Sequence, residues 1–133
     1  MRLGTGYLNL QKDYIKAIED VSKQAEFEIL TSSPRANGFY KGGFAKKYIP
    51  GIYRVNEAKM LKANNPNIRL YEWESGDWTF HGKGGWLYED SNKNEVDMTI
   101  IGSSNFTYRG NRRDTEAQLY IVAECDHLKK RLH

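Results

Sequence analysis

The run Met98-Thr99-Ile100-Ile101-Gly102-Ser103-Ser104-Asn105 decides how this chain is read. Four residues with strand preference lead directly into a Gly-Ser-Ser-Asn turn, so polar groups are delivered where a strand ends and a helix can begin. There, backbone N–H groups, hydroxyls and an amide can hydrogen-bond an anion. About twenty residues upstream lies Thr79-Phe80-His81-Gly82-Lys83-Gly84-Gly85-Trp86-Leu87. If Thr79 to Tyr88 is a strand, His81 and Lys83 point to one face. An imidazole serves as nucleophile or proton carrier near neutral pH. An ammonium beside it pairs with a phosphate oxygen and stabilises charge in a transition state. Together the two motifs have the chemistry to handle a phosphodiester without a metal.

Taken singly, each part is ordinary. H-x-K occurs by accident on surface strands, G-S-x-N is a common turn and helix cap, and Arg109, Arg112 and Arg113 read as a solvated loop. The order and spacing give them meaning, because they converge on one chemistry. Glu116, on the next expected strand, is a carboxylate able to hold an imidazole in one tautomer.

Outward from this pair, the periodicity of Tyr14, Ile15, Ile18, Val21 and Ala25 predicts an amphipathic helix over about 10–25. Phe27 to Thr31 reads as a buried strand, followed by a Ser/Pro/Asn/Gly loop over 32–38. A second helix is expected from Gly51 to Ala63, stopping before Pro66. Strands are expected at Ile68–Trp73, Thr79–Tyr88, Met98–Ile101 and Thr115–Ala123, with a hairpin turn over 89–95. Interleaved helices and strands give an α/β layered domain with a mixed sheet.

A chain of 133 residues makes one domain, and 39% hydrophobic with 13% aromatic residues fits a globular core. Twenty basic against seventeen acidic residues suit an anionic substrate or membrane surface without requiring either. The single Cys125 excludes an intrachain disulfide and a multi-cysteine metal site. No apolar run reaches membrane-spanning length, and no targeting segment is visible at the start. Tyr40, Phe44, Tyr48 and Trp78 are candidates for lipid contact, although aromatic residues more often fill a core.

These motifs resemble the phospholipase D superfamily, whose pattern is His-x-Lys, an aspartate four residues on, then Gly-Ser-x-Asn. Within it, the chain is similar to the C-terminal half of the eukaryotic phosphatidylglycerophosphate synthases. The resemblance runs over about residues 27–124. It includes Leu30-Thr31-Ser32-Ser33-Pro34, Asn37-Gly38-Phe39, the His81 motif with Trp86-Leu87-Tyr88, and Thr99 to Phe106 continuing through Tyr108-Arg109 to Arg113-Asp114-Thr115-Glu116-Ala117-Gln118. Tyr88 stands where the superfamily has its aspartate, and the synthases' second motif also lacks it. No other H-x-K is present.

The resemblance implies a phospholipase D-like α-β-α layered half, with a mixed sheet and helices on both faces. Residues 1–133 would be a single domain carrying the second motif of a two-motif protein. In the superfamily one histidine attacks phosphorus and a second protonates the leaving group, then deprotonates the acceptor. The implied reaction moves a phosphatidyl group from CDP-diacylglycerol to glycerol 3-phosphate, giving phosphatidylglycerophosphate and CMP for phosphatidylglycerol and cardiolipin synthesis. His81 would be the general acid/base. Lys83 and Asn105 would bind phosphoryl oxygens with Ser103 in support, and Glu116 would orient His81. Arg109 and Arg113 would meet a phosphate of the substrate. No metal and no cofactor are implied, and no nucleic acid is expected. The implied partners are the two substrates, a membrane surface bound peripherally, and a first-motif half or a second copy. The implied location is the mitochondrion. Two alternatives stand beside this: a one-motif phosphodiesterase or nuclease completed by homodimerisation, and a non-catalytic fragment.

Overall fold

The computed structural model describes residues 1–43, 46–61, 65–89 and 95–132. A six-stranded mixed sheet runs through it in the order β3-β2-β1-β4-β5-β6. The strands are β1 (Arg2–Thr5), β2 (Phe27–Ser32), β3 (Ile68–Trp73), β4 (Lys83–Leu87), β5 (Met98–Gly102) and β6 (Gln118–Val122). β1, β2 and β3 are parallel, while β4, β5 and β6 join antiparallel. The helices are α1 (Lys12–Val21), α2 (Ile49–Leu61), α3 (Tyr108–Arg112) and α4 (Asp126–Arg131), with a 3₁₀ turn at Lys46–Tyr48 before α2.

Alternation along the strands builds the core. Leu3, Phe27, Ile29, Ile68 and Ile100 are buried on one face, where they meet Ile18 of α1 and the flanking Ile15 and Met60. Both long helices therefore cover this face. Ile29 is fully buried at the centre, so Ile29→Ala should cost about 2–5 kcal/mol through lost transfer energy and a cavity. On the other face, Leu30, Tyr71 and Trp86 join Phe80 of the β3–β4 connection around a cavity of about 410 Å³. The end of α1 is tied to the start of β3 by Asn65 and Asn67, whose side-chain amides donate to the Ser22 hydroxyl and carbonyl at 2.7 and 2.8 Å.

The expected α/β layering with a mixed sheet is the observed one, with the two long helices sharing one face, and four further details differ from expectation. β1 lies at the centre of the sheet although nothing was expected there. Residues 79–82 are not strand. Phe80 donates its backbone N–H to the Ala36 carbonyl instead of a sheet neighbour, and its ring turns to pack 5.6 Å from Trp73. Gly82 permits this, since a Cβ there would lie 2.9 Å from the Phe80 ring. β6 starts at Gln118, so Glu116 precedes it. Finally, Tyr40, Tyr48 and Trp78 are exposed, not core. Phe44, the end of the second helix at Ala63 and most of the 89–95 turn lie outside the described residues.

Candidate active site

The register brings several chain ends to one end of the sheet. Thr5, the last residue of β1, pairs with Lys83, the first of β4, and Gly102 at the end of β5 pairs with Gln118 at the start of β6. The parallel strands β2 and β3 finish at the same end, where Ser32 pairs with Trp73. In α/β sheets, ligands bind beyond the carboxyl ends of parallel strands where strand order changes direction. Here both motifs meet at that point. β1 is the parallel strand beside which β4 runs back, and His81 and Lys83 lead into β4.

Lys83 is half-buried, and its Nζ donates to the His81 carbonyl oxygen at 3.0 Å. Burial lowers the pKa of the ammonium, and the charge of Glu116 raises it again. Glu116 is thus an electrostatic partner of Lys83. Its carboxylate accepts a hydrogen bond from the Ser103 hydroxyl, which in turn accepts from the Ala117 N–H at 3.0 Å. Among the described residues no hydrogen bond joins Glu116 to His81. The expected orientation of His81 by Glu116 is therefore replaced by a Ser103–Glu116–Lys83 arrangement, because Glu116 lies before β6 and beside Ser103.

Asn105 lies against the end of β1 at Thr5 and Gly6. Its backbone carbonyl accepts from the Thr5 hydroxyl at 3.1 Å. Its Oδ1 is buried and, among the described side chains, is the only such polar atom without a hydrogen-bond partner. An unpaired buried acceptor costs about 1–3 kcal/mol, and such groups call for an explanation such as a ligand-binding role. A Cβ placed on Gly6 would lie 3.5 Å from the His81 Cα and 3.6 Å from Asn105 Oδ1, so the two motifs approach across a glycine. The next residue, Phe106, has φ of 58°, a left-handed conformation unusual for a bulky side chain. Its buried ring, edge-on to Tyr14, and the Ser104 hydroxyl that accepts from its N–H hold this turn, which in turn fixes Asn105.

His81 is exposed, and an aromatic group stands beside it. Tyr7 meets His81 edge-on with ring centroids 6.0 Å apart. Tyr53 from α2 stacks on Tyr7 at 5.6 Å, and Phe39 packs against it at 5.4 Å. Burial raises the pKa of the Tyr53 phenol, and the nearby Tyr7 adds to the shift. Phe39 arrives on the loop after β2. There Ser32 donates to the Gly6 carbonyl at 2.7 Å, and Asn37 Oδ1 accepts the Phe39 N–H at 3.0 Å. The Ser-Ser-Pro…Asn-Gly-Phe stretch thus holds the far wall of the site. Gly6, Tyr7 and Tyr53 went unread in the sequence. The Gly4-Thr5-Gly6 spacing after Met1-Arg2-Leu3 was the one available signal.

Arg109 and Arg113 are not brought to this cluster. Arg109 pairs with Asp114 at 2.8 Å, and both arginines border a separate open cavity of about 530 Å³ with Tyr108. α3, capped by Thr107, which accepts the Gly110 N–H at 3.0 Å, does pack beside the cluster, since a Cβ on Gly110 would lie 3.7 Å from a Glu116 carboxylate oxygen, but among the described residues no hydrogen bond or ion pair joins Arg109 or Arg113 to it.

Comparisons with known proteins bear on the site. No protein-family model matches the chain. It is 38% identical over 136 aligned positions to the mitochondrial CDP-diacylglycerol–glycerol-3-phosphate 3-phosphatidyltransferase of Bos taurus, covering 98% of this chain and 24% of that protein. The enzyme of that name from Saccharomyces cerevisiae is 34% identical, with 96% of this chain and 27% of the relative covered. The chain therefore spans about a quarter of the length of the curated relatives it matches. Among solved structures, phosphatidylserine synthase of Haemophilus influenzae superposes with a TM-score of 0.82 at 21% identity, covering 98% of this chain and 30% of the other. The α/β fold expected from the motifs, a mixed sheet with helices, is thus the fold observed, and that structure shares it.

Proposed function

The chain is homologous, over nearly its whole length, to about a quarter of these 3-phosphatidyltransferases, and from that premise we propose that it carries the second-motif half of a phosphatidyl-transfer site. The substrates are CDP-diacylglycerol and glycerol 3-phosphate, and the products are phosphatidylglycerophosphate and CMP. The observation that carries this is the meeting of His81, Lys83, Ser103, Asn105 and Glu116 at one end of the sheet, with the Asn105 Oδ1 left without a hydrogen-bond partner among the described residues. A first-motif histidine from elsewhere in the same protein attacks phosphorus, the phosphorus–oxygen bond to CMP breaks, and His81 gives its proton to the departing CMP oxygen. His81 takes the proton from the glycerol 3-phosphate hydroxyl as that oxygen displaces the enzyme. Lys83 neutralises the phosphoryl oxygens, kept charged by Glu116. The Asn105 amide fixes the phosphoryl group or the acceptor hydroxyl. Arg109 and Arg113 lie outside this core and meet at most a remote phosphate. The mitochondrial location named for the relatives is proposed for this chain too. No described helix is long and apolar enough to cross a membrane.

The test is incubation of the chain with CDP-diacylglycerol and radiolabelled glycerol 3-phosphate, with and without a segment carrying the first motif. Labelled lipid should form in the complemented mixture only. Activity of the chain alone, rising with the square of concentration, would favour a homodimeric one-motif enzyme instead.

A further inference from the structure

The outer surface of α2 differs from that of an ordinary surface helix. α1 turns Lys12, Asp13, Lys16, Glu19 and Asp20 outward, and its exposed apolar residues, Tyr14 and Val21, border a cavity beside Leu3, Phe27 and Ile100. α2 instead exposes Ile52 at 60% and Val55 at 54%, with Tyr48 at 61% one turn earlier on the same stripe. Its inner side is already committed to Tyr53, the buried Glu57 and Met60. The stripe continues onto two loops. The Lys41–Asp77 ion pair at 3.1 Å brings together the segments carrying Tyr40 and Trp78, which are 46% and 76% exposed. Gly42 lies directly against Lys46, where a Cβ would come within 2.6 Å of the lysine Cβ, so this surface runs on into α2.

Charge says what covers it. Residues 40–62 contain six Lys and Arg and a single acid, Glu57, while the whole chain is only +3, so the rest is net acidic; of the six, Lys41 and Arg54 pair with Asp77 and Glu72. Glu57 is buried, and among the described residues Lys46 and Lys59 have no acidic partner. An apolar, aromatic stripe set among unneutralised lysines complements an anionic lipid surface.

We infer that this face docks peripherally on an anionic bilayer. Ile52, Val55, Tyr40 and Trp78 enter the boundary between headgroups and acyl chains, and Lys46 and Lys59 meet lipid phosphates. Docking also sets the site at the interface, since Tyr53 on the inner side of α2 stacks on Tyr7 beside His81, and His81 follows Trp78 by three residues. The proposed lipid substrate gives the docking its purpose, but lipid binding needs no turnover and is measured apart from it.

The experiment is sedimentation of the chain with vesicles of phosphatidylcholine alone and with about one-third phosphatidylglycerol. Binding should require phosphatidylglycerol, weaken with salt, and fall by about tenfold or more in Ile52→Glu and in Val55→Glu. Leu119→Glu, at an equally exposed position on β6 at the far edge of the sheet, should bind as the parent does. Trp78 emission should shift to the blue on binding, a change lost in Trp78→Phe. Three outcomes would overturn the inference: no sedimentation with either vesicle, equal binding of Ile52→Glu and the parent, or self-association of the chain that Ile52→Glu abolishes. Phosphatidyl transfer by the complemented mixture to substrate in detergent micelles would survive such a failure, which separates the two proposals.

Discussion

The imidazole of His81 stands edge-on to the ring of Tyr7, with centroids 6.0 Å apart and planes at 71°. Tyr7 itself packs against Phe39 and Tyr53, so among the described residues His81 has an aromatic neighbour and no hydrogen bond to a carboxylate. Edge-to-face ring pairs of this kind contribute about 0.5–1.5 kcal/mol beyond their buried area, enough to bias one ring orientation.

Tyr7→Leu should therefore change the ring-current displacement of the His81 ring protons in a proton NMR spectrum, and Tyr7→Phe should preserve it. In a complemented enzyme Tyr7→Leu should lower turnover about tenfold, equivalent to about 1.4 kcal/mol of barrier, with little change in KM. Identical His81 signals in all three proteins would remove Tyr7 as a positioning residue.

Glu116 acts on Lys83 by charge and on Ser103 by a hydrogen bond. Glu116→Gln should lower the Lys83 pKa further, because burial then acts unopposed. Ser103→Ala keeps the carboxylate and should change that pKa less. Titration of the lysine side-chain nitrogen by NMR distinguishes the two, and an unmoved Lys83 in Glu116→Gln would contradict the arrangement.

Glu57 on α2 carries a carboxyl pKa pushed up to about 7, first by burial and then by its hydrogen bond and charge contact with Glu72, against a smaller lowering from Arg54. A raised carboxyl pKa means the folded state holds the proton more tightly than the unfolded chain. Stability from this group is complete below the ordinary value of 4.5 and is lost as pH rises through about 7. Urea denaturation should show that fall, at most about 3 kcal/mol from this group, and Glu57→Gln should flatten it. A pH profile unchanged by Glu57→Gln would show that the group does not titrate with folding.

Gly102 lies where β5 meets the start of β6. A Cβ there would overlap the Ala117 carbonyl oxygen and come within 2.9 Å of the Gln118 Cα, both backbone atoms that cannot swing aside. Gly102→Ala should cost about 1–3 kcal/mol by forcing β6 away, and it should release Glu116 from Ser103. Parent-like stability in chemical denaturation would show that β6 yields freely.

Much of this was legible in the sequence because burial has a period. Phe27 to Ser32, Ile68 to Trp73 and Met98 to Gly102 appear as strands nearly where apolar runs predicted them. β1 was not legible. Arg2-Leu3-Gly4-Thr5 is too short for a period to show, and its central place comes from pairing with β2 and β4, which are distant in sequence. His81 and Lys83 were legible as a pair but not in geometry. A strand pattern through 79–82 was overridden when Phe80 bonded Ala36 and stacked on Trp73, a choice made by tertiary contacts. For the same reason Tyr7, which supports the histidine, carried no local signal.

The most direct test replaces the matching segment of the Saccharomyces cerevisiae 3-phosphatidyltransferase with this chain and measures the conversion of radiolabelled glycerol 3-phosphate to phosphatidylglycerophosphate. The chimera should form the lipid product, and His81→Ala within it should reduce the rate by about a thousandfold or more while the protein stays folded. A folded His81→Ala chimera that makes product at the parent rate would contradict the assignment of His81 to the reaction.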